Sequence, residues 1–135
     1  MSTITWRDTY SVGIQKIDDQ HKELISIINE IYDAHHQGTS QTVIIDTLEK
    51  LVDYTIYHFS MEEDLFVQCN YPKKDDHMSE HKEFVGKIAD LKQEGRKGNL
   101  LLSLKTIDFL KDWTINHILG TDMEFGAFLK EKEIG

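Results

Sequence analysis

Residues 58–81 read HFSMEEDLFVQCNYPKKDDHMSEH, and the spacing of the ligand-type residues inside this stretch decides the fold. His58 and Glu62 stand four residues apart, and so do His77 and His81. An i,i+4 pair stacks two side chains on one helix face. Between the pairs lies Asn70-Tyr71-Pro72, a turn cluster whose proline ends one helix before the next begins. The stretch therefore reads as the late part of one helix and the early part of its successor, with both pairs at the end where the helices meet. One such pair arises easily by chance. Two pairs, with His21, His117 and Asp122 elsewhere in the chain, make coincidence a poor account.

The flanking sequence supplies the rest of a bundle. Asp18 to Gln37 repeats His21, Leu24, Ile25, Ile28, Ile31, Tyr32 and His35 at the i, i+3, i+4, i+7 spacing of one buried stripe. Gly38-Thr39-Ser40 then breaks it. The helix holding His58 begins near Ser40 and ends near Gln68, with Ile44, Leu48, Leu51 and Thr55 on its stripe. A third runs from Asp75 to Glu94, closed by Gly95-Arg96-Lys97-Gly98, and a fourth from Leu100 to Ile118. Thr121 to Lys130 continues as a short final segment, while residues 1–17 lack helical period and read as an arm anchored by Trp6 and Tyr10. Short connections make neighbours antiparallel. The expected fold is all-α: an up-down-up-down four-helix bundle over 18–118, with an N-terminal arm and a short terminal helix over 121–131.

Antiparallel order gives the ligand positions their meaning. His21 lies early in the first helix, His58 and Glu62 late in the second, His77 and His81 early in the third, and His117 at the end of the fourth. All fall at one end of the bundle. Asp122 needs separate treatment, because five residues of ideal helix turn through about 500° and leave His117 and Asp122 roughly 140° apart. Gly120 between them suggests a kink or local bulge that turns Asp122 back toward the site. Taken alone, Asp122 would more often cap a helix, in competition with Thr121.

Composition bounds what such a site could serve. With 135 residues, one proline and eight glycines, the chain fits a single domain over 1–135 with a substantial core. Acids outnumber bases 24 to 15 for a net charge of −9, without a basic cluster, which excludes nucleic acid as the expected partner. Trp6, Arg7 and Asp8 stand where a secretory signal would need apolar residues, and no apolar run reaches membrane-spanning length. No membrane insertion and a cytoplasmic location are expected. Cys69, the only cysteine, rules out an intrachain disulfide and reads as a small buried hydrophobe.

Five imidazoles and two carboxylates without thiolate point toward iron, and also suit manganese, cobalt or zinc; calcium and magnesium prefer oxygen donors. Seven ligands exceed the four of a structural zinc site and fit two ions better than one. If both ions are six-coordinate and share the carboxylates and one bridging oxygen, a single position stays open, suited to a small diatomic ligand.

These residues carry a resemblance that runs nearly end to end: TWRDTYSVGIQKIDDQHKEL over 5–24, HFSMEEDLF over 58–66, NYPKKDDHMSEHKEF over 70–84 and WTINHILGTDMEFGAFL over 113–129. The chain resembles the bacterial hemerythrin family of non-haem oxygen-binding proteins. The resemblance implies two iron ions bridged by an oxo or hydroxo group, one held by His77, His81 and His117, the other by His21 and His58, with Glu62 and Asp122 bridging. It implies reversible binding of dioxygen at the two-histidine iron, for storage or for delivery to an oxygen-consuming enzyme. It implies a carrier rather than an enzyme, with weak peroxidase-like activity as a side reaction.

Leu24, Phe59, Trp113, Thr114 and Ile118 are the candidates for an apolar wall around bound oxygen, although core packing explains each equally well. Three residues before His117 the family pattern has a bulky aliphatic such as leucine, where this chain has Thr114. Helical side chains lean toward the N-terminus, so Thr114 is expected beside the open position, its hydroxyl available to bound oxygen. The alternative is a bond to its own backbone four residues back. Glu63 points about 100° from Glu62 and reads as solvated; His35 and His36 read as ordinary helix-end histidines. A carboxylate-rich oxidase would show Glu-x-x-His motifs, and this sequence has none.

Overall fold

The computed structural model describes residues 4–37, 41–96 and 104–132. Its helices are α1 (Gln15–His36), α2 (Gln41–Gln68), α3 (Lys74–Arg96), α4 (Leu104–His117) and α5 (Met123–Glu131). The first four form the up-down-up-down antiparallel bundle, with α2 packed on both α1 and α3, and α1 on α4. The expected fourth-helix start at Leu100 lies outside the described residues.

Two of the boundaries that differ from the sequence reading have a clear physical cause. The first helix starts at Gln15 rather than Asp18, and its N-cap residue, Ile14, makes no side-chain cap. Asp18, which looks like a helix-start signal, instead accepts from Val12 N–H at 2.8 Å and from the Ser11 hydroxyl at 2.5 Å, tying down the arm. The third helix continues through Gly95 to Arg96; one glycine in a helix costs only about 1 kcal/mol against alanine and does not stop it.

The arm includes a short 3₁₀ turn over Asp8–Tyr10. The Asn29 amide clips Ile4 to α1, accepting from its N–H and donating to its carbonyl, both at 2.8 Å. Trp6 and Tyr10 pack against the core, edge to face at 5.7 Å.

Helix α2 ends in a Schellman turn. Asn70 takes the left-handed φ of 54°, Tyr71 N–H reaches back to the Phe66 carbonyl at 2.9 Å, and the two rings meet at 5.5 Å. That contact belongs to a small apolar cluster of Val12, Ile14, Ile17, Phe66, Tyr71, Phe125 and Leu129, which caps one end of the bundle. Half-buried Cys69 packs at its edge. The larger core, including Leu24, Ile28, Phe59, Phe84, Leu110 and Ile118, fills the other side. On α2, Phe59 belongs to the large core and Phe66 to the cap, with Glu62 between them. The polar residues form a layer between two apolar ones.

Candidate metal centre

That layer holds His21, His58, Glu62, His77, His81, His117 and Asp122, all of them buried, with His117 the most exposed at 5%. Their donor atoms form two overlapping groups: Glu62, His77, His81, His117 and Asp122, and His21, His58, Glu62 and Asp122. Within each group the donors lie within 4.8 Å of one another. Both carboxylates belong to both groups.

Asp122 reaches the layer because the chain between α4 and α5 does not break. Residues Ile118–Asp122 form a π-helical turn, and α5 follows without interruption. A π turn bonds i to i+5, which restores Asp122 to the face of His117 and removes the offset of an ideal helix. Asp122 Oδ1 lies 2.9 Å from His77 Nε2 and 3.2 Å from His117 Nε2, with Oδ2 3.0 Å from His21 Nε2. Asp122 makes no side-chain cap. Nothing lies within 4 Å of a Cβ built on Gly120, so the turn does not need glycine for space.

The nitrogens turned away from the centre identify residues that the sequence reading missed. His58 Nδ1–H donates to Gln20 Oε1 at 2.6 Å, His81 Nδ1–H to Glu63 Oε2 at 3.0 Å, and His117 Nδ1–H to Glu80 Oε1 at 2.8 Å. These tautomers follow from the acceptors, and each leaves the Nε2 lone pair facing inward, without a partner among the described residues on His58 and His81 and 3.2 Å from His77 Nε2 on His117. Glu63 is therefore not simply solvated. The Thr121 hydroxyl lies 2.8 and 2.9 Å from the two Glu80 oxygens and braces that carboxylate. Each partner neighbours one inward residue in sequence but serves a histidine on another helix. A position next to an inward one is rotated by about 100°, which aims it along the helix–helix seam.

The inward atoms are short of partners. Apart from Thr55 Oγ1, the buried side-chain atoms without a hydrogen bond among the described residues all belong to this set: both nitrogens of His21, Nε2 of His58 and His81, Nδ1 of His77, both oxygens of Glu62, and Oδ2 of Asp122. Several sit close together without hydrogen-bond geometry, as His81 Nε2 and Glu62 Oε1 do at 3.2 Å. Each buried unsatisfied group costs about 1–3 kcal/mol.

Charge reflects the crowding. Burial, then His21, pushes His58 down to about 3; burial, then His77 and His117, pushes His81 down to about 2. Both imidazoles are neutral at neutral pH, as ligands must be. Burial and neighbouring Asp122 raise Glu62 well above the usual carboxylate range. Burial also works to raise Asp122, but His117 and His21 outweigh it and hold the carboxyl well below its usual value. For His117 burial is outweighed by Asp122 and Glu80, and its pKa rises.

Of the expected pocket wall, Leu24, Phe59 and Ile118 are buried in the large core. Phe59 stacks on His81 at 3.7 Å, and half-buried Trp113 stacks on His117 at 4.5 Å. A cleft of about 470 Å³ between α2 and α3 reaches Phe59 and His81 past Ile56, Met78 and Val85. Thr114 departs from the expectation of a hydroxyl offered to the site. It is buried, and its hydroxyl donates to the Leu110 carbonyl at 2.8 Å. Its only proton is thereby committed to its own helix, as the alternative reading allowed.

The model for the hemerythrin HHE cation binding domain matches residues 12–129. The chain belongs to the hemerythrin family. It is 34% identical over 123 residues to bacteriohemerythrin of Pseudomonas aeruginosa, covering 90% of this chain and 78% of that one. With bacteriohemerythrin of Methylococcus capsulatus it shares 31% over 130 residues, 96% of this chain and 98% of the relative. A hemerythrin-like protein of Naegleria gruberi is 33% identical over 128 residues, 95% of each chain. Among solved structures, wild-type hemerythrin superposes with a TM-score of 0.87 at 30% identity, over 93% of this chain and 97% of the other.

Proposed function

We propose that this hemerythrin-family chain binds dioxygen reversibly at a pair of iron ions, as a store or as a supply for an oxygen-consuming enzyme, with no more than a side activity toward peroxide. The observation that carries the reading is the pair of donor groups sharing Glu62 and Asp122. Unpartnered nitrogens and carboxylate oxygens converge there in a buried layer, and a pair of cations fits that donor set. His77, His81 and His117 would hold one iron and His21 and His58 the other, with Glu62 and Asp122 spanning both. When bound, the iron pair supplies the electrons and the open position that dioxygen needs.

The chain's own residues supply selectivity and protection. Gln20, Glu63 and Glu80 fix the tautomers of His58, His81 and His117, so that Nε2 faces inward without a rearrangement. One group offers five protein residues and the other four, which leaves more room for an outside ligand on the side of His21 and His58. Leu24, Phe59 and Ile118 keep water and its protons away. Having only two carboxylates in the donor set favours reversible binding over oxidation chemistry, because fewer anionic donors stabilise high oxidation states less.

Anaerobic reconstitution with ferrous iron followed by elemental analysis tests the assignment. Two irons per chain are expected, falling to about one in the double variant His21→Ala, His58→Ala, which strips the smaller group of both histidines. One iron in the unmodified protein would refute the pairing.

A further inference from the structure

The partners of the outward nitrogens are unequal in charge. In the group of His77, His81 and His117, two rings donate to carboxylates, Glu63 and Glu80. In the group of His21 and His58, the one such bond goes to the neutral amide of Gln20. Nδ1 of His21 and of His77 has no hydrogen-bond partner among the described residues. We propose that Glu63 and Glu80 are positioning residues that make the three-histidine half of the centre the more electron-rich half, while Gln20 keeps the other half neutral. This rests on the two-metal reading above.

An imidazole that donates to a carboxylate becomes a stronger base at its other nitrogen, because the acceptor stabilises positive charge on the ring. Both carboxylates are partly exposed, with Glu63 at 31% and Glu80 at 42%. Water therefore screens their field over distance but leaves the direct bonds at 3.0 and 2.8 Å in place. Glu80 is held most firmly, because Thr121 grips it from the π-helical turn. The turn that brings Asp122 inward thus also places Thr121 on Glu80. Glu63 and Glu80 lie one residue from Glu62 and His81, so the two α-helices α2 and α3 carry both the inward donors and the acids behind them.

The test uses Glu63→Gln, Glu80→Gln and Gln20→Glu, which exchange charge at nearly constant shape, and Thr121→Val, which loosens Glu80 without removing its charge. Midpoint potential of the iron-loaded protein is read together with cobalt(II) affinity of the metal-free protein. Both Gln variants should raise the potential and weaken cobalt binding on the order of tenfold, the lower end for lost outer partners. Gln20→Glu should lower the potential, and Thr121→Val should raise it less than Glu80→Gln. Unshifted potentials in both Gln variants, or a rise in Gln20→Glu, overturn the proposal. If a Gln variant fails to fold, the signs for Gln20→Glu and Thr121→Val decide it. Uptake of a single cobalt by the unmodified protein would instead fail the two-metal reading itself, which separates the two results.

Discussion

Acidifying the metal-free protein should destabilise it by a slope set by the buried polar layer. His58 and His81 sit near 3 and 2 in the fold but titrate near 6.5 when unfolded. Below pH 6.5 the unfolded chain binds two protons that the native layer refuses, so stability is lost as pH falls. Glu62 acts in the opposite sense. Its folded pKa is raised well above 4.5, so above pH 4.5 the native state keeps a proton that the unfolded chain has released. His117, raised in the fold, is protonated in both states below about pH 6 and drops out. Between about pH 5 and 6 the two imidazole protons outweigh the one on Glu62, so stability is lost on acidification, on the order of 1 kcal/mol per unit. Glu62→Gln mimics the neutral acid and removes the opposing contribution, which should make the slope about twice as steep. Urea unfolding of both metal-free proteins at pH 5, 5.5 and 6 measures this, and surface carboxylates cancel in the comparison. Equal slopes, or a shallower one in Glu62→Gln, would refute the proton assignment.

Other outcomes follow from the same geometry. Thr114→Leu should slow autoxidation of the oxygen-loaded protein several-fold, about 1 kcal/mol, with iron content unchanged. Because the Thr114 hydroxyl is bound to Leu110, Thr114→Val should decay at nearly the native rate; equal or faster decay in the leucine variant would show that bulk at this position does not control access. Removing iron should lower the melting temperature and expose amides near 58–66 and 114–122 to hydrogen exchange, since a ligand at a thousand times its Kd contributes about 4 kcal/mol; an unchanged melting curve would uncouple metal from folding. Gly120→Ala should keep full iron content, because its added methyl meets nothing; loss of one iron would mean that the π-helical turn depends on glycine.

Periodicity made the helices legible, and the clustering of ligand positions at one bundle end follows from antiparallel order alone. The start of α1 was hidden because Ile14 offers no cap and Asp18 serves the arm instead. The five-residue spacing of His117 and Asp122 announced a local distortion, yet whether the helix stops or widens there depends on its hydrogen bonds rather than on Gly120. Within its own helix Glu63 points away from the Glu62 face; α3, which supplies His81, occupies the space it points into. Gln20 and Glu80 carry the same signal, a polar residue beside an inward-facing donor. Thr114 shows the reverse limit. Its position on the stripe is readable, but the choice between site and backbone is made by one side-chain rotation.

Reversible oxygen uptake by the ferrous protein tests the central claim most directly. Anaerobically reconstituted protein, titrated with dioxygen and followed by absorbance, should take up one dioxygen per two irons, change colour, and return to its starting spectrum when oxygen is removed. Uptake that cannot be reversed, or no spectral change with both irons present, would contradict it.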